Sequence, residues 1–305
     1  MPLVSRKTFL TTTALATAAL VAGTSLSFKK KNPLLSFSTL GCPDWTLEQI
    51  AAFAAQHGYG GIEVRGLQRQ LDLPQCAPFA TAAAREKTKA LLKAKGLRFV
   101  GLGSSANLHL KGAERQKNLT DARRFIDLAQ QLACPYVRVF PNNLPKEGNK
   151  TETLSLIAQG LLQLGQYGKE AGVTVLMETH GDVVWADDLA TIMQAAQHTH
   201  TGLIWDIANM WNVTKEAPAE VYKKLKKHIH HTHIKDAKLV DGKLQYTLLG
   251  EGEVPVFEAI DALEKNNYKG YYSFEWEKMW HPTLPEPEVA FAHYAKRMHE
   301  HFKKG

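Results

Sequence analysis

Four residues near the ends of short apolar runs carry the donor atoms of a hard metal site. They are Glu178 in Met177-Glu178-Thr179-His180, Asp206 in Trp205-Asp206, His233 in Thr232-His233-Ile234-Lys235-Asp236, and Glu275 in Phe274-Glu275-Trp276-Glu277. Three carboxylates and one imidazole suit Mn²⁺, Mg²⁺ or Co²⁺ and accept Zn²⁺. Any one of them alone could be a helix cap or an ion-pair partner. Four in succession differ, because a bare charge embedded in an apolar strand is costly or shifts its pKa. One divalent cation compensates all four and leaves open positions for substrate oxygens.

Such convergence requires the four runs to be neighbouring strands. Candidate strands fall at 35–40, 61–65, 98–102, 136–140, 173–178, 202–206, 229–234 and 271–276, each rich in β-branched or aromatic residues and bounded by turn formers. Helical patterns alternate with them at 46–57, 83–95, 116–132, 152–171, 187–197, 217–227, 255–266 and 286–303. Thr46 with Gln49 three residues on reads as a capping box. Gly96 and Gly172 follow the last turns of the second and fourth helices. Eight strand–helix units without a dividing linker predict an α/β protein with a single (β/α)8 TIM barrel over 34–305. A doubly wound open sheet is the competing architecture, but no glycine-rich phosphate turn is present. In a barrel, chemistry sits at the carboxyl ends of the strands, where the four donors lie.

Alternation along 229–235 puts His231, His233 and Lys235 on one face and His230 and Thr232 on the other. His233 is nearest the functional end. His231 lies a layer deeper, as barrel filling, and His230 faces the helices.

The ordered pattern ETH, WDIAN, HIKD and FEWE, with Gly61-Ile62-Glu63-Val64-Arg65 and Cys42-Pro43-Asp44-Trp45 upstream, resembles the sugar phosphate isomerase/epimerase family of xylose isomerase-like barrels. That family includes ketose 3-epimerases and inosose dehydratases, and the resemblance covers 34–303. It implies one divalent cation held by Glu178, Asp206, His233 and Glu275. It also implies that Glu178 and Glu275 act as the acid/base pair, with Asp206 and His233 as ligands only. The expected activity is isomerisation or epimerisation of a non-phosphorylated sugar or keto-sugar through a metal-stabilised enediolate. Alternatives are a lyase or hydratase on a 3-keto-sugar or glycoside derivative, and a non-catalytic periplasmic sugar-binding barrel. Expected substrate contacts are His180, Asn209, Lys235, Glu63 and Arg65. Asn209 stands where ketose 3-epimerases carry a histidine. Lys235 could instead pair with Asp236, and Glu63 and Arg65 could pair within the barrel.

The 305 residues include 37 Lys and Arg against 30 Asp and Glu, a net charge of +7. Residues 1–31 hold five of the basic residues and no acidic ones, which leaves 32 basic against 30 acidic in the remainder. That near-neutral balance argues against nucleic acid as a partner. An apurinic endonuclease would also need further His and Glu ligands on the earlier strands. Residues 1–28 read as an export signal: Arg6 and Lys7 precede an apolar run from Phe9 to Gly23. Ser5-Arg6-Lys7-Thr8-Phe9-Leu10 is twin-arginine-like, with Lys7 in place of the second arginine, so the general secretion route stays open. Residues 29–33 form a basic linker. The expectation is a periplasmic protein with no stable membrane anchor in its mature form; a homo-oligomer is compatible with it. Cys42 is expected in the first strand, and Cys42, Cys76 and Cys134 allow one disulfide or none.

Overall fold

The computed structural model describes residues 32–304. Its barrel strands are β1 (Leu35–Ser38), β2 (Gly61–Val64), β3 (Arg98–Asn107), β4 (Tyr136–Phe140), β5 (Thr174–Glu178), β6 (Thr201–Asp206), β7 (Ile229–Ile234) and β10 (Tyr272–Phe274). They close in the order β1–β10–β7–β6–β5–β4–β3–β2, all neighbours parallel. Most strand residues are buried, because helices cover the outer face and side chains fill the inside. The helices are α1 (Leu47–Gln56), α2 (Ala82–Ala94), α3 (Gly112–Gln131), α4 (Lys150–Ala171), α5 (Ala186–Ala195), α6 (Ile207–Thr214), α7 (Pro218–Leu225), α8 (Val256–Lys265) and α9 (Pro287–Lys304). The predicted single barrel is therefore correct. The capping box forms on α1: Thr46 N donates to Gln49 Oε1 at 2.8 Å, and Gln49 N to Thr46 Oγ1 at 3.3 Å.

Aromatic packing seats α9 under the two strands that close the barrel. Phe37 of β1 stacks on Phe291 at 4.2 Å, and Phe274 of β10 stacks on Tyr294 at 4.5 Å. Deleting such a buried ring costs about 3–5 kcal/mol. This packing also fixes the strand that presents Glu275, whose N–H donates to Ile234 O at 3.0 Å just beyond β10.

Several boundaries differ from the sequence expectation. The first strand stops at Ser38, whose hydroxyl accepts from Leu40 N, and a 3-10 turn follows over Thr39–Gly41. Cys42 therefore lies past the strand, not in it. All three cysteines are separate buried thiols, so no disulfide joins them. The third strand runs on to Asn107, through a shift in register after Gly103. The helix expected at 217–227 is preceded by a separate one, α6, because Asp206 caps it by accepting from Asn209 N at 2.8 Å. The segment after β7 is not a plain loop. It is an antiparallel hairpin of β8 (Asp236–Val240) and β9 (Lys243–Thr247). The Asp236 carboxylate fixes its base, accepting from the backbone N–H of Ala237, Gly250, Gly252 and Val254 at 2.8–3.2 Å.

The expected export segment lies outside the described residues, with most of the basic linker. Among the described residues, no helix is long and apolar enough to cross a membrane.

Candidate metal centre and substrate site

Parallel register brings the donors together. β6 and β7 pair Asp206 with His233, and β7 and β10 pair His233 with Ser273, two residues before Glu275. Glu178 ends the adjacent strand β5. One ligand atom from each of Glu178, Asp206, His233 and Glu275 lies within 4.8 Å of the others, and all four residues are buried. His233 Nδ1 is the hub: it lies 3.3 Å from Glu178 Oε1, 3.4 Å from Glu275 Oε1 and 3.9 Å from Asp206 Oδ2.

The residues fit a dication on two counts. First, His233 Nδ1 and Asp206 Oδ2 are buried and make no hydrogen bond, although Asp206 Oδ2 has an ion-pair contact with Lys235 Nζ at 2.8 Å. Buried polar atoms are normally satisfied, and orphans clustered at one point mark a missing partner. Second, the lining carries the carboxylates of Glu63, Glu178, Asp206, Glu275 and Glu277 against the permanent cations Arg65, Arg138 and Lys235. A divalent ion closes that imbalance.

Glu63, expected as a substrate contact, lies beneath the centre with both oxygens occupied. Oε2 accepts from His231 Nε2 at 2.8 Å and Ser273 Oγ at 2.9 Å, and Oε1 accepts from His233 Nε2 at 2.9 Å. Burial alone would raise this carboxyl, but the His233 charge and the bonds from both imidazoles outweigh it and hold it well below the usual range. An ionised carboxylate only accepts, so both Nε2 atoms carry hydrogen. His233 is thereby turned with Nδ1 toward the centre. Glu63, His231 and His233 form a second buried cluster of possible metal donors, here joined by direct hydrogen bonds.

Two cations brace the two glutamates. Arg138 Nη1 donates to Glu178 Oε2 at 2.6 Å, its Nη2 donates to Ser104 O at 3.0 Å, and its guanidinium lies 3.9 Å from the Phe140 ring centre. Burial opposes ionisation of Glu178, yet His233 and Arg138 hold its carboxyl well below the usual range. Lys235 Nζ donates to Glu275 Oε2 at 2.6 Å and to Glu277 Oε1 at 2.9 Å. Burial disfavours its charge, but Asp206, Glu275 and Glu277 raise it well above its ordinary value. Its partner is thus not the adjacent Asp236, which the hairpin backbone engages. Burial pushes Asp206 up to about 7, against the opposing charge of Lys235.

The other expected contacts are placed differently from one another. Arg65 is buried, and its Nη2 donates to Ser105 Oγ at 3.0 Å; burial and the neighbouring Arg138 pull it down to about 9. Gly103 makes room for both arginines: a Cβ there would lie 2.8 Å from Arg65 Cδ and 3.0 Å from Arg138 Nη2. His180 is half-buried against Phe140, and burial lowers its pKa. The Asn209 side chain turns back to Thr179 O at 3.3 Å, binding backbone. The sequence reading missed Arg138, Ser273 and Glu277. Arg138 had a signal: an arginine in the middle of the apolar run Tyr136-Val137-Arg138-Val139-Phe140 must find an anion inside.

A closed parallel barrel with a hard-donor cluster at its carboxyl end defines the class, and the sequence agrees. The chain belongs to the xylose isomerase-like TIM barrel family, whose model matches residues 51–300. It is 28% identical over 158 residues to an uncharacterised protein, YihM, of Escherichia coli strain K12, covering 50% of this chain and 46% of that one. It is 26% identical over 153 residues to inosose dehydratase of Clostridium botulinum strain Alaska E43, covering 45% and 50%. The chain thus spans about half the length of the curated relatives it matches. The solved structure of an L-ribulose 3-epimerase superposes with a TM-score of 0.72 at 15% identity, covering 89% of this chain and 95% of that one, which is a likeness of fold.

Proposed function

We propose that the chain is a divalent-metal-dependent isomerase or epimerase that acts on a non-phosphorylated sugar or keto-sugar through an enediolate. The observation that carries this reading is His233 Nδ1, buried without a hydrogen bond and ringed by oxygens of Glu178, Glu275 and Asp206. A dication held by these residues would stabilise the charge that substrate oxygens gain when a proton leaves the adjacent carbon. Glu178 and Glu275 stand on β5 and at the end of β10, with β6 and β7 between them. They therefore reach a bound sugar from two sides, so one can take a proton and the other return one. Arg138 and Lys235 hold the second oxygen of each, which fixes both carboxylates in place. The same pairing commits Arg138 and Lys235 to carboxylates, which speaks against a phosphate dianion as the ligand. The export-type composition of residues 1–28 agrees with a periplasmic, non-phosphorylated sugar.

Glu277 favours a second reading. Joined to Lys235 at 2.9 Å, it adds a third carboxyl beside the acid/base pair. One more polar group at that place suits a reaction that also expels a hydroxyl after the first proton transfer, as in a lyase or hydratase on a 3-keto-sugar or glycoside derivative. The inosose dehydratase relative supports the same reading.

The test is NMR and mass spectrometry of ketoses and keto-sugars incubated in D₂O with the Mn²⁺-loaded protein. Deuterium at one carbon with an otherwise unchanged formula is the expected result. Loss of water selects the second reading. No exchange across the panel sinks both and leaves a sugar-binding barrel.

A further inference from the structure

Arg65 stands one residue past the end of β2 and is only 7% exposed. Its path is fixed against the inner side of β3. Glu63, two positions earlier, rests on Gly101, where a Cβ would lie 3.4 Å from Glu63 Cγ. Arg65 rests on Gly103 in the next layer up, and its Nη2 ends at the hydroxyl of Ser105, a solvent-exposed residue. Glu63 lies beneath the four-donor centre, bonded to His233. Arg65 therefore rises above that level toward the open carboxyl end of the barrel. Arg138 packs against the same glycine and donates to Glu178 Oε2, so one side chain separates Arg65 from a candidate donor.

The other buried cations of the site have carboxylate partners. Arg138 has Glu178 at 2.6 Å, and Lys235 has Asp206, Glu275 and Glu277 at 2.6–2.9 Å. Arg65 has none: among the described residues no carboxylate oxygen lies within 4.0 Å of its nitrogens, and Nη1 is buried without a hydrogen bond. The like charge of Arg138 beside it adds to the strain. A buried guanidinium with no counter-ion and a free N–H is costly, and buried donors normally find partners. The partner that guanidinium geometry fits is an oxyanion. With Arg138 and Lys235 already committed, one free Nη1 suits a carboxylate monoanion and not a phosphate dianion.

We propose that Arg65 receives a carboxylate of the ligand, so that the site takes sugar acids, and keto-sugar acids in particular, in preference to neutral sugars. This names the substrate class of the proposed function and rests on that reading for the position of the sugar.

The test is calorimetry of the Mg²⁺-loaded full chain with matched pairs: 2-keto-D-gluconate against D-fructose, D-glucuronate against D-glucose, and D-galacturonate against D-galactose. At least one acid should bind about 10–100-fold more tightly than its neutral partner, the scale of a charge-assisted hydrogen bond. The preference should disappear in Arg65→Gln and persist in part in Arg65→Lys. Arg65→Met, which keeps bulk and removes the uncompensated charge, should raise the Tm of the Mg²⁺-loaded protein. Equal binding within every pair, a preference that survives Arg65→Gln, or a lower Tm in Arg65→Met overturns the proposal. Comparison of acid with neutral sugar on the parent protein decides the matter even where a variant does not fold. None of these measurements needs turnover. Acid preference carried by Arg65 without deuterium exchange on any sugar leaves this inference intact and sinks the proton-transfer reading. Exchange on neutral ketoses with no acid preference sinks this inference alone.

Discussion

His233 Nε2 lies 2.9 Å from Glu63 Oε1, while its other ring nitrogen faces the oxygens of Glu178, Glu275 and Asp206. One side chain thus links the acid beneath the centre to the donors above it. Partners of this kind orient a histidine ligand and raise its basicity. Glu63→Gln should therefore weaken Mn²⁺ binding by about 10–100-fold, as outer partners of metal ligands typically do. Calorimetric titration with Mn²⁺ reads this directly. Unaltered affinity would show that His233 keeps its orientation without Glu63.

The two braced glutamates are expected to be indispensable for turnover. Glu178→Gln and Glu275→Gln should each lower the exchange rate by at least about 10²–10⁴-fold, the usual contribution of a positioned acid or base. Metal occupancy must be measured in both variants, because each residue is also a donor. Normal turnover in either one rejects the acid/base assignment.

Stability of the metal-free protein should fall as pH rises. Asp206, with a folded value of about 7 against 3.8 for the free group, binds more protons folded than unfolded between those values, so stability drops across that window. Burial opposes the His233 charge, but Glu275, Glu63 and Glu178 raise its pKa well above its usual 6.5. Its stabilising contribution is full below that value and is lost as pH climbs through the raised one. Glu63 and Glu178, both held low, lose their contributions only in stronger acid. A dication takes the place of the protons on Asp206 and His233, and proton competition fades as pH rises. The gap in Tm between protein with MnCl₂ and protein with EDTA should widen from about pH 5 to about pH 8. A constant or shrinking gap places the ion elsewhere.

Gly103 is the small residue that admits two large ones. Gly103→Ala would crowd Arg65 Cδ and Arg138 Nη2, and Arg138 is tied to both Ser104 O and Glu178. Overpacking of this kind costs about 1–3 kcal/mol. The variant should show a lower Tm together with reduced exchange activity, as Glu178 loses its brace. Thermal unfolding and the D₂O assay measure the two effects, and full activity would mean that the arginines rearrange without consequence for Glu178.

Burial on both faces made the barrel legible. Runs such as Val173-Thr174-Val175-Leu176-Met177 are almost purely apolar, and a carboxylate closing one stands out against them. The ion-pair partners were harder to see because the fold pairs distant residues. Glu63 meets His231 across 168 positions and His233 across 170, a relation that no local spacing encodes. The short helix α6 was hidden because Asp206 serves as both its cap and a candidate ligand. The hairpin was hidden because its strands are partly exposed and lack the continuous apolar run that betrays a barrel strand.

Asp236 suspends the whole hairpin from one carboxylate, at a point immediately after the strand that carries His233. That arrangement makes the ornament between β7 and α8 a detachable cassette. Grafting a different length or composition there, while the anchoring acid and its backbone socket are kept, should change ligand preference under the proposed function and leave the four candidate donors in place.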